Sequence, residues 1–363
     1  MHMGILRTIL ALAVIVYHSY VFLGLRMCGG QVAVEAFYII SGFYMALILN
    51  EKYIGEGSYK KFILSRFYRI FPVYWFILLS AFLLSLVGYL MFNHPHYLAR
   101  YIFNKECLSF FTILYFALEN IIVLGQDICY FLRLDEFCNP LFTYKTLSYS
   151  HTGYQYLFVP QAWSISVEFM FYIIAPFLVT KQVKWQLGIV ILGLFIKYYF
   201  ANFHYLSFDP WTYRFFPFEL SFFMAGSLAY KIYKIIPTNK NLSYVGYGLL
   251  SICILVVFLF EYIHLKDQVK ASLFYCLIFI SIPFIFLVFK HKPWDRIIGE
   301  YSFSLYISHH LIVSLFRNYF FAHPSYLYLY GYVVVFLSLI IAWMLQITLI
   351  KVIEFKRQKI WLT

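Results

Sequence analysis

The feature that most constrains this chain is a series of about ten apolar stretches, each long enough to cross a hydrocarbon layer of about 30 Å at about 1.5 Å of helix rise per residue. They lie near residues 5 to 25, 32 to 50, 71 to 92, 163 to 180, 184 to 203, 212 to 232, 243 to 262, 271 to 289, 297 to 320 and 327 to 350. In lipid the backbone has no water to bond, so a spanning stretch closes its own hydrogen bonds as a helix. With 63% apolar, 23% aromatic and only 12% charged residues, nothing is left over for a soluble core. The pattern predicts an all-α fold: a polytopic transmembrane helix bundle of about ten transmembrane helices, one integral-membrane domain over residues 1–363.

A formal charge of +12 could point to nucleic acid, but the basic residues sit in short clusters between apolar spans rather than on one soluble face. That distribution is the positive-inside pattern. With both the N- and C-termini cytoplasmic, the inner ends hold Arg7; Lys52, Lys60, Lys61, Arg66 and Arg69; Lys181 and Lys184; Lys231, Lys234 and Lys240; Lys290, Lys292 and Arg296; and Lys351, Lys356, Arg357 and Lys359. This places 18 of the 28 Lys and Arg inside. The partners implied are membrane lipid and no nucleic acid.

FFTILYFALENIIVLG, residues 110 to 125, is apolar but interrupted by Glu119 and Asn120. If it crossed, every later basic cluster would change sides. It therefore reads as an interfacial or re-entrant helix within one long external segment at about 93–162. The N-terminal run lacks a small-residue cleavage site and reads as an uncleaved signal anchor. Cys28, Cys107, Cys129 and Cys138 fall outside on this topology, where Cys129 with Cys138 is the expected disulfide; Cys253 and Cys276 read as packing residues. No spacing suggests a metal site, and no glycine-rich loop suggests a nucleotide cofactor.

Ionisable residues inside spans are costly unless paired or placed in a wet cavity. His18 lies nine residues before Met27 in the external turn and Glu35 eight after it, so a helical hairpin brings them to one level. Glu168, Glu219, Lys197 and His309 count to similar depths in the outer half. A histidine level with a carboxylate is the minimal general-base pair. The plainer reading is a buried histidine satisfied by a hydroxyl such as that of Tyr17 or Ser41. At the inner side, Arg66 and Arg69 in YKKFILSRFYRIFP share a helix face, with Pro72 marking entry to the third span. Paired guanidiniums suit phosphate, although a basic helix that binds lipid headgroups reads the same. Arg7 precedes His18 by eleven residues, three turns plus about 20°, so both face one way about 16 Å apart. A long thin ligand gripped at the inner face could present its far end to His18.

These residues resemble the acyltransferase-3 family of bacterial integral-membrane enzymes. The N-terminal signature is matched by Arg7, His18, Glu35, Phe37 and Ser41-Gly42-Phe43; the Arg-x-x-Arg-Ile-x-Pro-x-Tyr segment by Arg66, Arg69, Ile70, Pro72 and Tyr74. WSISVE, Trp163 to Glu168, is similar to the family's Trp-Ser-Leu-Ser-x-Glu, and SFSLYISH, Ser302 to His309, to its Ser-Tyr-Ser-Leu-Tyr-Leu-x-His. Two departures are Glu35, where many members have Asp, and Phe303 in place of tyrosine.

The resemblance implies an O-acyltransferase, most readily an O-acetyltransferase, of the bacterial inner membrane. Cytoplasmic acetyl-coenzyme A would be co-substrate rather than a resident cofactor. The acceptor would be a surface polysaccharide, lipopolysaccharide or lipid-linked glycan. It assigns catalysis to His18 with Glu35, donor binding to Arg7, Arg66 and Arg69, and a cavity or acceptor site to Ser41, Ser166, Glu168, Lys197, Tyr306 and His309. The soluble esterase-like domain that some members carry has no counterpart here, so a second catalytic step would need a partner protein. The alternative class is a transporter or flippase, which also carries buried charges along a path.

Overall fold

The structure is a computed structural model that describes residues 2–237 and 240–354. Lys356, Arg357 and Lys359, counted above to the inner side, lie outside the described residues. Long helices dominate: α1 (Gly4–His18), α2 (Gly30–Glu51) and α3 (Ser58–Phe92), then α6 (Trp163–Leu178) and α7 (Val183–Phe203). The series continues with α8 (Phe216–Ile235), α9 (Lys240–Leu259), α10 (Asp267–Phe289), α11 (Pro293–Ala322) and α12 (Leu327–Leu345). Between α3 and α6 come the short helices α4 (Ala99–Phe103) and α5 (Phe110–Ile122) and a hairpin of β1 (Leu132–Leu134) and β2 (Pro140–Phe142). Among the described residues, seven helical segments have the length and apolarity to cross a membrane, those of α2, α3, α6, α7, α9, α10 and α12. The chain is a multi-pass, all-α membrane bundle.

Two boundaries differ from the sequence reading. The first apolar stretch is helical only to His18, not to residue 25. Ser19 stops it by turning its backbone N–H and its hydroxyl onto the Ile15 carbonyl. The imidazole therefore sits at the C-terminal end of α1, where the helix dipole favours positive charge, instead of deep within a longer span. At α3 one helix of 35 residues runs from Ser58 straight through Pro72. The arginines are thus on the same helix as the third span, although Pro72 removes one backbone bond and crowds the carbonyl one turn before it.

Two helix pairs set the position of everything else. α2 lies closest to α8, because a Cβ at Gly42 would meet the Phe223 carbonyl oxygen at 1.8 Å and one at Gly226 the Ile39 carbonyl oxygen at 1.9 Å. Small residues at a crossing let backbones touch, the usual device of membrane helix pairs. α1 runs along α11, fastened where the Gly4 N–H donates to Asp295 Oδ2 at 2.8 Å and the Ile5 N–H to Oδ1 at 3.1 Å.

The segment between α3 and α6 folds over one end of the bundle. α5 has 13 residues, about 20 Å of helix, short of the hydrocarbon thickness. Thr112, Phe116 and Asn120 on α5 are buried, whereas Phe110, Phe111, Leu114 and Leu118 are exposed. Asn120 ties the segment down: its amide donates to the Phe116 and Tyr156 carbonyls, its Oδ1 accepts from the Phe158 N–H, and its carbonyl accepts from the Tyr74 hydroxyl of α3. The disulfide joins Cys107 to Cys138, not Cys129 to Cys138. Cys129 is a free, buried thiol against the Tyr115 hydroxyl.

Candidate active site

Three cavities follow one another along α1. The first is a vestibule at the Arg7 end of the bundle whose walls include Arg66, Arg69, Arg296, Tyr44 and Phe303. The second shares Tyr44, Arg69 and Phe303 with the vestibule. Its other walls include Arg7, Phe37, Ser41, Ile165 and Glu168. The third shares Val34 and Tyr306 with the second and is lined by His18, His310, Gln161 and Arg214. Successive cavities thus have wall residues in common.

The vestibule carries Arg66, Arg69 and Arg296 together with Glu300 and Glu354. Arg66 is 5% exposed, yet its Nε and Nη1 have no hydrogen-bond partner among the described residues; Arg7, on the wall of the middle cavity, is 8% exposed with Nη1 likewise unpartnered among them. Buried guanidinium donors without acceptors are costly, so these atoms are set for a ligand that supplies oxygens. Rings of Phe62 and Tyr172 lie 5.9 and 6.0 Å from the Arg66 guanidinium and hold it in place.

In the middle cavity, Glu168 accepts from the Ser41 hydroxyl at 2.5 Å and from the Tyr172 hydroxyl. Tyr306, on α11, bonds Ser164 Oγ at 2.5 Å and donates to the Gln161 carbonyl at 3.0 Å. This fixes the wall between the middle and outer cavities.

His18 opens into the outer cavity, and no hydrogen bond to either of its ring nitrogens is found among the described residues. Its neighbours are other rings: His309 at 5.3 Å, His310 at 5.9 Å and Tyr17 at 5.2 Å between centroids. His309 is fully buried, its Nδ1 meets the Tyr306 carbonyl at 2.6 Å, and its Nε2 has no partner among the described residues. His310 Nδ1 lies 2.9 Å from the Tyr97 hydroxyl.

The expected pair of His18 with Glu35 does not form. Glu35 Oε1 is bound by Lys197 at 2.6 Å and Oε2 by the Tyr275 hydroxyl, and Lys197 also binds Glu219 at 3.0 Å. The reason is azimuth rather than depth. On α2 the cavity stripe is Val34, Phe37, Tyr38 and Ser41, a helical i, i+3, i+4, i+7 set. Glu35 lies seven residues before Gly42, two turns, and so faces α8 with it. Lys197 is therefore not a cavity residue either: with Glu35 and Glu219 it cross-links α7, α2 and α8. Ser166 also leaves the cavity, since its hydroxyl donates to Asp127 Oδ1 at 2.7 Å and accepts from the Gly125 N–H at 2.9 Å. It anchors the segment between α3 and α6. Burial pushes the Asp127 carboxyl up to about 6 and that of nearby Glu119 up to about 7, with Asp127 adding to the latter.

A profile described as an acyltransferase domain matches residues 3–346. The chain belongs to the acyltransferase-3 family. The match covers nearly the whole chain, including all the residues that line the middle and outer cavities, so the family's acyltransferase activity attaches to the whole bundle rather than to a part of it. No curated protein and no solved structure matches the chain. His310 and Arg214 were not read as site residues from the sequence. The His309-His310 doublet was the one available signal, and Arg214 lies in an aromatic loop without periodicity.

Proposed function

We propose that this acyltransferase moves an acetyl group from cytoplasmic acetyl-coenzyme A to a hydroxyl of a surface polysaccharide, lipopolysaccharide or lipid-linked glycan across the bacterial inner membrane, through ten spans with both termini inside. The observation that carries the reading is the row of three cavities from unpartnered arginine donors to an open imidazole. Arg7, Arg66 and Arg69 grip the donor's phosphates, and its thin thioester arm lies along the middle cavity past Glu168 and Ser41. The Val34–Tyr306 wall is where the acyl group meets the acceptor.

His18 acts as general base. It takes the proton of the sugar hydroxyl as that oxygen attacks the thioester carbonyl; the carbon–sulfur bond breaks, an ester carbon–oxygen bond forms, and the proton ends on the coenzyme A thiol. Ring packing by His309 and His310 replaces the carboxylate that the sequence reading assigned to orient the imidazole. A covalent acetyl-imidazole is the second variant of the same step.

The test uses purified protein in lipid nanodiscs with labelled acetyl-coenzyme A and candidate glycans. Acylated product is expected from the wild type and none from His18→Ala, which should insert and fold normally because its side chain faces a cavity. Undiminished transfer by His18→Ala would overturn the assignment, and solute flux without acylation would make the chain a transporter.

A further inference from the structure

The outer cavity contains two buried polar atoms that the acyl-transfer step does not use. Arg214 is 8% exposed; its Nε and Nη2 grip both oxygens of Asp209 at 2.5 and 2.8 Å, and Nη2 also reaches the Tyr213 hydroxyl at 2.6 Å. Its Nη1, with two N–H groups, has no partner among the described residues although the side chain lines the cavity. The guanidinium is held by rings, 3.9 Å from that of Tyr130 and 4.3 Å from that of Trp163. Such caging freezes the fork in place. Gln161, 4% exposed and lining the same cavity, donates Nε2 to the Ile307 carbonyl at 2.8 Å, while its Oε1 has no donor among the described residues.

A pre-set donor pair, an unpartnered acceptor and an open imidazole in one cavity describe a ligand with an oxyanion and hydroxyl groups. Tyr17, 60% exposed at the rim and edge-on to His18, adds a flat apolar face of the kind on which a pyranose ring lies. Because Asp209 consumes only one side of the fork, the remaining side offers charge-assisted donors without needing a new cation.

We infer that Arg214 and Gln161 form an acceptor subsite selective for an acidic sugar: Arg214 Nη1 binds a carboxylate or phosphate on the acceptor, and Gln161 Oε1 accepts from one of its hydroxyls. This holds the hydroxyl to be acylated against His18. The inference rests on reading the outer cavity as the acceptor side.

The experiment measures binding alone, with no donor present, by equilibrium dialysis of labelled methyl glucuronide, methyl glucoside 6-phosphate and methyl glucoside against the full-length protein in nanodiscs. At least one charged probe should bind about tenfold more tightly than the neutral one, the increment of a single charge-assisted hydrogen bond. Which one does so assigns the oxyanion to a uronic-type carboxylate or to a phosphate. Arg214→Gln should erase the preference, and Gln161→Leu should weaken all three probes alike while leaving it intact. Should Arg214→Gln fail to fold, the wild-type preference and its survival in Gln161→Leu decide. Equal binding of all three probes to the wild type overturns the subsite, as does a charge preference that survives Arg214→Gln or probe binding untouched by Gln161→Leu. Since no acyl transfer is read, a protein that acylates nothing can still pass, and one that acylates neutral glycans can still fail.

Discussion

Replacing Arg66 with methionine removes a guanidinium from the vestibule while keeping a side chain of similar length between Phe62 and Tyr172. In the free protein Arg66 is 5% exposed, with Nε and Nη1 unpartnered among the described residues, so its loss relieves a desolvation cost of about 1–3 kcal/mol. In the donor complex those two nitrogens would each make a charge-assisted hydrogen bond worth about 1.5–3 kcal/mol. Losing one weakens binding about tenfold to a hundredfold, and losing both by up to about ten-thousandfold. Titration calorimetry of coenzyme A into nanodisc-embedded protein should show this loss, while thermal unfolding of the ligand-free variant stays level or moves upward. The two readouts together separate a binding role from a structural one. A dissociation constant within about threefold of the wild type, or a marked fall in ligand-free stability, would refute the assignment.

Lys197 bridges Glu35 and Glu219, which are 1% and 0% exposed, so Lys197→Met leaves two buried carboxylates uncompensated. It should cost about 3–5 kcal/mol in denaturant-unfolding experiments, and the triple variant with Glu35→Gln and Glu219→Gln should recover most of it. Glu35→Gln alone should lower stability but leave the pH profile of transfer unmoved, since the carboxylate does not touch His18. The raised carboxyls of Glu119 and Asp127 mean that the folded segment holds protons more tightly than the unfolded chain. Their stabilisation is therefore full below the ordinary carboxylate range and is lost as pH rises through about 6 to 7. Amide exchange across residues 110 to 131, corrected for intrinsic rates, should quicken over that interval, and Glu119→Gln should flatten the change.

How much of this was legible in the sequence depends on which coordinate is asked for. Helix placement along the chain was readable, because apolar runs mark where long helices lie: α7 and α10 (Val183–Phe203 and Asp267–Phe289) fall where hydropathy puts them. Azimuth was less so. Glu35 was assigned to His18 by level and by the motif resemblance, neither of which reports azimuth, although its seven-residue spacing to Gly42, a residue small enough for a helix crossing, carried the opposite information. Ser166 shows the same limit, since its motif neighbours Ser164 and Glu168 line the middle cavity while it turns outward to Asp127. The long segment between α3 and α6 was hardest. Its contacts, Asn120 with Tyr156 and Cys107 with Cys138, are irregular and obey no period. Arg214 was invisible for that reason, as its role follows from the rings around it.

The account turns on whether a donor gripped at the arginines reaches the imidazole through the middle cavity. An experimental structure with a non-transferable thioether analogue of acetyl-coenzyme A measures this directly. The account predicts phosphates against Arg66 and Arg69, the arm beside Ser41 and Glu168, and the acyl carbon at the Val34–Tyr306 wall facing His18. An arm that leaves the bundle sideways, or an acyl carbon that stops at Arg69 and never approaches His18, would contradict it.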